Sequence, residues 1–176
     1  MRLHPGPLAV LLAFAPLAAQ PAAPASPEAK LAALGLTLPA TTRPTANFVP
    51  AVRTGSLVFL SGHVSRGPDG KLITGKVPRD LSAADAHAAA RHTALALLAT
   101  LKAEIGDLAK VKRIVRVGGF VNAVPEFTAH PQVMNGCSDL LVAVFGDKGR
   151  HARAALGMGS LPSNAAVEID LIVEVE

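Results

Sequence analysis

The longest periodic stretch of the chain runs from Ser82 to Gly106, where Ala86, Ala89, Ala90, Thr93, Leu97, Leu98 and Leu101 recur at helical spacing on one broad face. This predicts a helix. Ser82 followed three residues later by Asp85 forms a capping box at its start, and the alanine-rich face allows close approach to a sheet. A second amphipathic helix is predicted over Val133–Phe145, with Val133, Met134, Leu140, Leu141, Val144 and Phe145 as its apolar positions and Gly146 and Gly149 as its stop. Strand patterns fill the rest. Ala51–Val64 gives two short pieces around the turn Thr54-Gly55-Ser56, the second, Leu57–Leu60, ending at Ser61-Gly62. Val111–Val121 is strand-like, and its Gly118-Gly119 pair suggests a bulge or a close backbone approach. Ala152–Met158 and Ala166–Val175 follow, joined by the turn Leu161-Pro162-Ser163-Asn164. The order strand, strand, helix, strand, helix, strand, strand alternates too little for a doubly wound sheet. It predicts an α+β layer with a mixed sheet and both helices on one face.

The flanking segments read differently. Met1 to Ala25 has one early arginine, Arg2, an apolar run from Pro7 to Ala19 and an A-x-A site ending at Ala25. That is the outline of a cleavable signal peptide, cut near Ala25, and implies export, to the periplasm in a Gram-negative cell, with no membrane association after cleavage. Residues 26–45 carry a short helix-capable piece around Glu28–Leu34, then Gly35, Pro39 and Pro44, and are read as a linker or extended arm. The folded domain is expected over residues 46–176.

Composition narrows the functional classes. Half of the 176 residues are apolar and 17% are charged, which excludes wholesale disorder. The chain has neither tryptophan nor tyrosine, so tyrosine-based chemistry is excluded and the stacking platforms of single-strand binders are missing. The net charge is only +4, and the export segment, which holds Arg2 and no acid, accounts for one unit of it. The densest basic group, Lys110, Lys112, Arg113 and Arg116, lies in an alternating segment and reads as the solvated side of a strand, so no nucleic-acid partner is expected. The single cysteine, Cys137, excludes an internal disulfide.

Few residues are placed for chemistry. His87 and His92 are five apart and do not share a helix face, His63, His130 and His151 lie in or beside loops, and no metal site is expected. No G-x-S-x-G elbow, phosphate loop or dinucleotide fingerprint is present. Two charges stand out against apolar surroundings. Arg153 begins the strand Ala152–Met158, and Glu168 sits within AAVEIDLIVEV, where Glu168, Asp170, Ile172 and Glu174 share one face and Val167, Ile169, Leu171 and Val173 the other. Periodicity alone makes the acidic face solvated and the apolar face core.

The tail carries a resemblance. His151-Ala152-Arg153-Ala154-Ala155, then Gly159-Ser160-Leu161-Pro162, then Ala166-Val167-Glu168-Ile169-Asp170, closely resembles the carboxy-terminal signature of the RidA (YjgF) family, approximately P-A-R-S, L-P and V-E-I-E. Leu57-Val58-Phe59-Leu60-Ser61-Gly62 resembles the family's L-V-F-x-S-G strand, and Asn135 falls at its pocket asparagine. The resemblance covers roughly residues 46–176. It implies a chorismate-mutase-like α+β fold assembled as a homotrimer with pockets between subunits. It also implies hydrolysis of short-lived enamines and imines, of the 2-aminoacrylate type, to 2-oxo acids and ammonia. No cofactor is implied. Arg153 would clamp the substrate carboxylate, Glu168 would position or activate water, and Phe48, Ser61, Gly62 and Asn135 would line the pocket. The chain departs from the family at Phe48, where tyrosine is usual, at His151, where proline is common, and at Ala154 and Ala155. Residues Ala129–Gly136 look like an insert lengthening the approach to the second helix. A carboxylate-binding module without turnover and an endoribonuclease are the alternative activities.

Overall fold

The structure, a computed structural model, describes residue 1, residues 25–41 and residues 46–176. The expected signal peptide lies almost wholly outside the described residues. Among these, no helix is long and apolar enough to cross a membrane.

Five strands, β1 (Ala51–Thr54), β2 (Leu57–Val64), β3 (Val111–Asn122), β4 (Ala152–Met158) and β5 (Val167–Val175), form one sheet in the order β1-β2-β5-β3-β4. β3 and β4 run parallel and the other neighbours antiparallel. A parallel pair needs a crossover between its strands. The helix α3 (His130–Phe145) supplies it, and α2 (Ala83–Ile105) crosses between β2 and β3 on the same face. The expected mixed sheet with its two principal helices on one side is therefore the observed architecture.

The local reasons are those read from the sequence. Ser82 caps α2, its Oγ accepting from the Asp85 amide at 3.1 Å while the Asp85 carboxylate accepts from the Ser82 amide at 3.4 Å. The apolar faces of both helices are buried without exception at the positions named above. α3 begins at His130, three residues earlier than its periodicity indicates, because Pro131 fits the first turn of a helix, where its missing N–H would have no partner. The stretch Ala129–Gly136 is thus chiefly the opening of α3 rather than an inserted approach to it.

Of the expected linker, residues 26–41 are described, and they hold more than an extended arm. A third helix, α1 (Pro27–Ala33), buries Leu31 in the common core, and Glu28 accepts from the Leu108 amide at 3.2 Å and pairs with Lys102 at 3.3 Å. One apolar side chain and one carboxylate suffice to dock a seven-residue helix that could not persist alone.

The Gly118-Gly119 pair serves close approach rather than a bulge. A Cβ at Gly118 would lie 2.6 Å from the Asp170 carboxylate, and one at Gly119 would collide with the Met134 side chain of α3. Each glycine thus admits one neighbour on each side of β3. The bulge of this part of the sheet falls instead in β2, between Leu60 and His63, where Ser61 and Gly62 face a single residue of β5.

Among the described residues the sheet is covered on one side only. Val167, Ile169, Leu171, Val173 and Val175 are buried under the helices, while Val52, Phe59 and Leu156 stand 54%, 41% and 50% exposed on the bare face. Where the helices meet each other, Gly136 of α3 lies directly on the α2 backbone, and a Cβ there would fall on the His87 carbonyl. Gly136→Ala is expected to lower stability by about 1–3 kcal/mol or more, since neither backbone can yield cheaply. Urea denaturation checks this: the midpoint should fall with the slope unchanged.

Candidate functional site

The residues singled out in the sequence fall into two groups in the folded chain. One gathers around the β2 bulge. The Ser61 amide donates to the Pro50 carbonyl at 3.0 Å and its hydroxyl to the Val49 carbonyl at 2.7 Å, while its own carbonyl faces His63 Nδ1 at 2.8 Å. Both donors of Ser61 are spent on the chain that carries Phe48. Ser61 thus holds the wall of the pocket rather than offering a donor to a ligand. Phe48, 55% exposed, and Gly62 line a cleft of about 720 Å³ whose other walls come from residues 35–41 and from Leu95 and Ala96 of α2.

Glu168 approaches Gly62 from the other side of the sheet. A Cβ on Gly62 would collide with the Glu168 carboxylate, so only glycine leaves room for it. The bulge and the missing side chain together seat this carboxylate at the end of β2. Glu168 is half-buried, and among the described residues it has no hydrogen-bond or ion-pair partner. Partial burial pushes its carboxyl above the ordinary value, and the neighbouring Asp170 adds to the shift. Asp170, by contrast, is paired with Arg116 at 3.1 Å. Of these two neighbouring acids, one is paired and one is left available.

The second group sits at the opposite edge of the sheet. Arg153, on the edge strand β4, donates from Nη1 to Asn135 Oδ1 at 2.9 Å and to Ser138 Oγ at 3.0 Å, both on α3. Ser138 Oγ is also 3.0 Å from His151 Nε2, and His151 Nδ1 is 2.6 Å from the Gly149 carbonyl. Asn135 therefore sits beside Arg153. Ser138 and His151 were not among the expected site residues, although a signal was there. Ser138 is three residues after Asn135 on α3, a spacing that returns to the same helix face, and His151 immediately precedes β4, two residues before Arg153.

One chain does not bring the two groups together. Arg153 stands opposite the buried Val117, which stands opposite the buried Leu171, so it shares the helix side of the sheet. Glu168 stands opposite Phe120, itself opposite the exposed Leu156, and so points to the bare side. Two strands across and three residues along, the Cα positions are on the order of 14 Å apart. A molecule of three or four carbons cannot span that distance through the sheet.

Other groups lack the features of a reactive centre. Cys137 is buried, and desolvation pushes its thiol up to about 12, which makes it inert. His63 is held between the Ser61 carbonyl and Thr100 Oγ1, 2.8 Å from each, with burial lowering its basicity. No group of three His, Cys, Asp or Glu side chains that could hold a metal ion occurs among the described residues.

Known proteins resemble this chain in sequence and in fold. Residues 28–175 match a family model described as "YjgF/chorismate mutase-like, putative endoribonuclease". Protein TCP17 of Trypanosoma cruzi is 43% identical over 148 residues, which make up 84% of this chain and 92% of that protein. The crystal structure of Atu1372 from Agrobacterium tumefaciens, a protein of unknown function, superposes with a TM-score of 0.79 at 46% identity over 85% of this chain and 92% of that one. A structure from Shewanella oneidensis titled a putative endoribonuclease superposes with a TM-score of 0.82 at 33% identity, covering 86% of this chain and all of its own. With the β2 bulge, the Arg153 edge and the Glu168 strand all lying inside the matched region, the chain belongs to the YjgF/RidA family.

Proposed function

We propose that this protein is a hydrolytic deaminase of reactive imines and enamines bearing a carboxylate, acting as a homotrimer with each site built between two subunits. The observation that carries this reading is the division of the candidate residues: an arginine with its fork held toward solvent at one sheet edge, and an unpaired, half-buried carboxylate on the bare face. Neither half is complete alone. A second copy covering the bare face would bury Val52, Phe59 and Leu156 and bring a foreign arginine to Glu168. The export pattern in residues 1–25 supports placing the activity in the periplasm, on imines generated there.

The chemistry follows from the side chains. Arginine meets a carboxylate through two parallel charge-assisted hydrogen bonds and so fixes the adjacent imine carbon. The imine is already an activated electrophile. Water adds to the carbon of the protonated imine as Glu168 accepts the water's proton, and Glu168 passes that proton to nitrogen. The C–N bond of the carbinolamine then breaks as its hydroxyl gives up its own proton to Glu168 and the C=O bond forms, and that proton leaves with the ammonia as ammonium. The products are a 2-oxo acid and ammonia, with no oxidant or reductant consumed. Burial suits Glu168 to the task, because a carboxylate of raised basicity takes a proton from water more readily. Phe48 supplies an apolar wall, and the loss of the family's hydroxyl there removes one polar contact to the substrate.

Mixing two disabled variants tests the arrangement. Glu168→Gln is expected to lower kcat for 2-iminopropionate by roughly 10²–10⁴-fold. Arg153→Ala is expected to raise KM roughly 10- to 100-fold, the worth of hydrogen bonds to a charged group. Unfolding the two together and refolding them should restore about a quarter of the sites, since each site would draw its arginine from one copy and its glutamate from another. No recovery in an assembled mixture would sink the shared site, and ammonia release unchanged in Arg153→Ala would sink the deaminase reading. Binding of 2-oxo acids that needs Arg153, with no imine turned over, would favour the binding module.

The raised basicity of Glu168 gives a second test. Asp170→Asn removes a like charge and frees Arg116, and both changes favour the ionised form of Glu168. Its titration midpoint, followed by carboxyl ¹³C NMR, should move down toward 4.5, and the acid limb of the activity profile should move with it. A midpoint that stays put or rises would contradict the stated causes.

A further inference from the structure

We propose that Ser138 and His151 are positioning residues for Arg153: they hold Nη1 of the guanidinium in place, so that the substrate carboxylate is met by the Nε–Nη2 edge. This deepens the deaminase reading and rests on Arg153 being the carboxylate clamp.

The hydrogens along one chain of bonds fix this arrangement. The Gly149 carbonyl can only accept, so the His151 Nδ1 at 2.6 Å from it carries a proton and donates. In the neutral ring Nε2 then has only a lone pair. Ser138, 3.0 Å away, must donate its hydroxyl hydrogen there, which turns the oxygen's lone pairs toward Arg153. Nη1 bears two hydrogens, and both are taken, one by Ser138 Oγ and one by Asn135 Oδ1. Among the described residues nothing engages Nε or Nη2. Those two atoms form a flat side-on fork that fits a carboxylate. Burial lowers the basicity of His151, the contact with Gly149 opposes this, and the nearby Arg153 charge lowers it again, which keeps the ring in the neutral form the chain of bonds requires.

Rotation about the bond from Nε to the guanidinium carbon would scramble this arrangement. With Ser138 in place, Nη1 has two fixed acceptors on one helix, and rotating the fork breaks both bonds. Remove the hydroxyl and only Asn135 remains, which permits more than one orientation. The cost then falls on binding, because a floppy fork must be ordered each time a carboxylate docks. His151 stands where the family pattern has proline, and proline offers no acceptor to a serine.

Calorimetric titration with pyruvate, on the full assembled protein, tests this directly. Ser138→Ala should weaken binding about tenfold, and Ser138→Thr, which keeps the hydroxyl, should restore it to within about twofold. His151→Ala should behave like Ser138→Ala, while His151→Gln, which keeps an acceptor, should recover most of the loss. KM for the imine should follow the pyruvate Kd in each variant, with kcat changing less. In ¹⁵N spectra of Arg153, separate Nη1 and Nη2 signals in the unsubstituted protein should merge in Ser138→Ala. If Ser138→Ala and Ser138→Thr bind pyruvate alike, or if the Nη signals are already averaged without substitution, the positioning role is wrong. If Arg153→Ala itself binds pyruvate normally, the clamp reading fails instead, and the two failures are told apart by that one variant.

Discussion

Everything in this molecule depends on a sheet whose central strand is dressed differently on its two faces. β5 puts five valine, isoleucine and leucine side chains under the helices and Glu168, Asp170, Ile172 and Glu174 on the other side. Because side chains on a strand alternate strictly, the same nine residues that anchor the core also present the acids. The strand pairs with β2 and β3 along its length, so its register sets where every other element lies. A slip by one residue would exchange the two faces and place carboxylates under the helices.

Glycines do the fitting around that strand. Gly62 and Gly118 leave space for the Glu168 and Asp170 carboxylates on the bare face, Gly119 leaves space for α3 on the covered one, and Gly136 of α3 leaves space for the α2 backbone. Each permits a contact that a methyl group would prevent. The chain thereby packs an alanine-rich α2 and a close-lying α3 against the sheet. The two carboxylates meet different fates at equal depth. Arg116 takes one, and the other is left without a partner at the bulge.

The sequence made a good part of this legible, and the reasons differ by element. Helical periodicity and the Ser82-Asp85 box located α2 because the buried face is built from the same residues that make the pattern. β5 is readable for the same reason, its buried and half-buried positions alternating as its sequence does. α1 was not recognised as part of the core, since its single buried leucine is too weak a periodic signal to distinguish a docked helix from a linker. The start of α3 was misplaced because proline reads as a breaker everywhere except in the first helical turn. Ser61 was read as a pocket residue from its place beside Gly62, and only its hydrogen bonds to Val49 and Pro50 reveal that its donors are turned inward.

For the site, the chain itself determined which residues carry charge against an apolar background, and it named Arg153 and Glu168 on that ground together with the surrounding motif. It also determined which face of its own strand each occupies. The relation between those faces was decided elsewhere. It required the parallel register of β3 and β4, which sets Arg153 against Val117 and hence on the helix side, and the antiparallel register of β3 and β5, which sets Glu168 on the other. Alternation along a strand is local and written in the sequence, but the phase of one strand against its neighbour comes from hydrogen bonds between residues far apart in the chain. The Arg153–Ser138–His151 chain has the same origin, for it joins an edge strand to the helix that crosses over to reach it, and only packing brings those side chains within 3.0 Å.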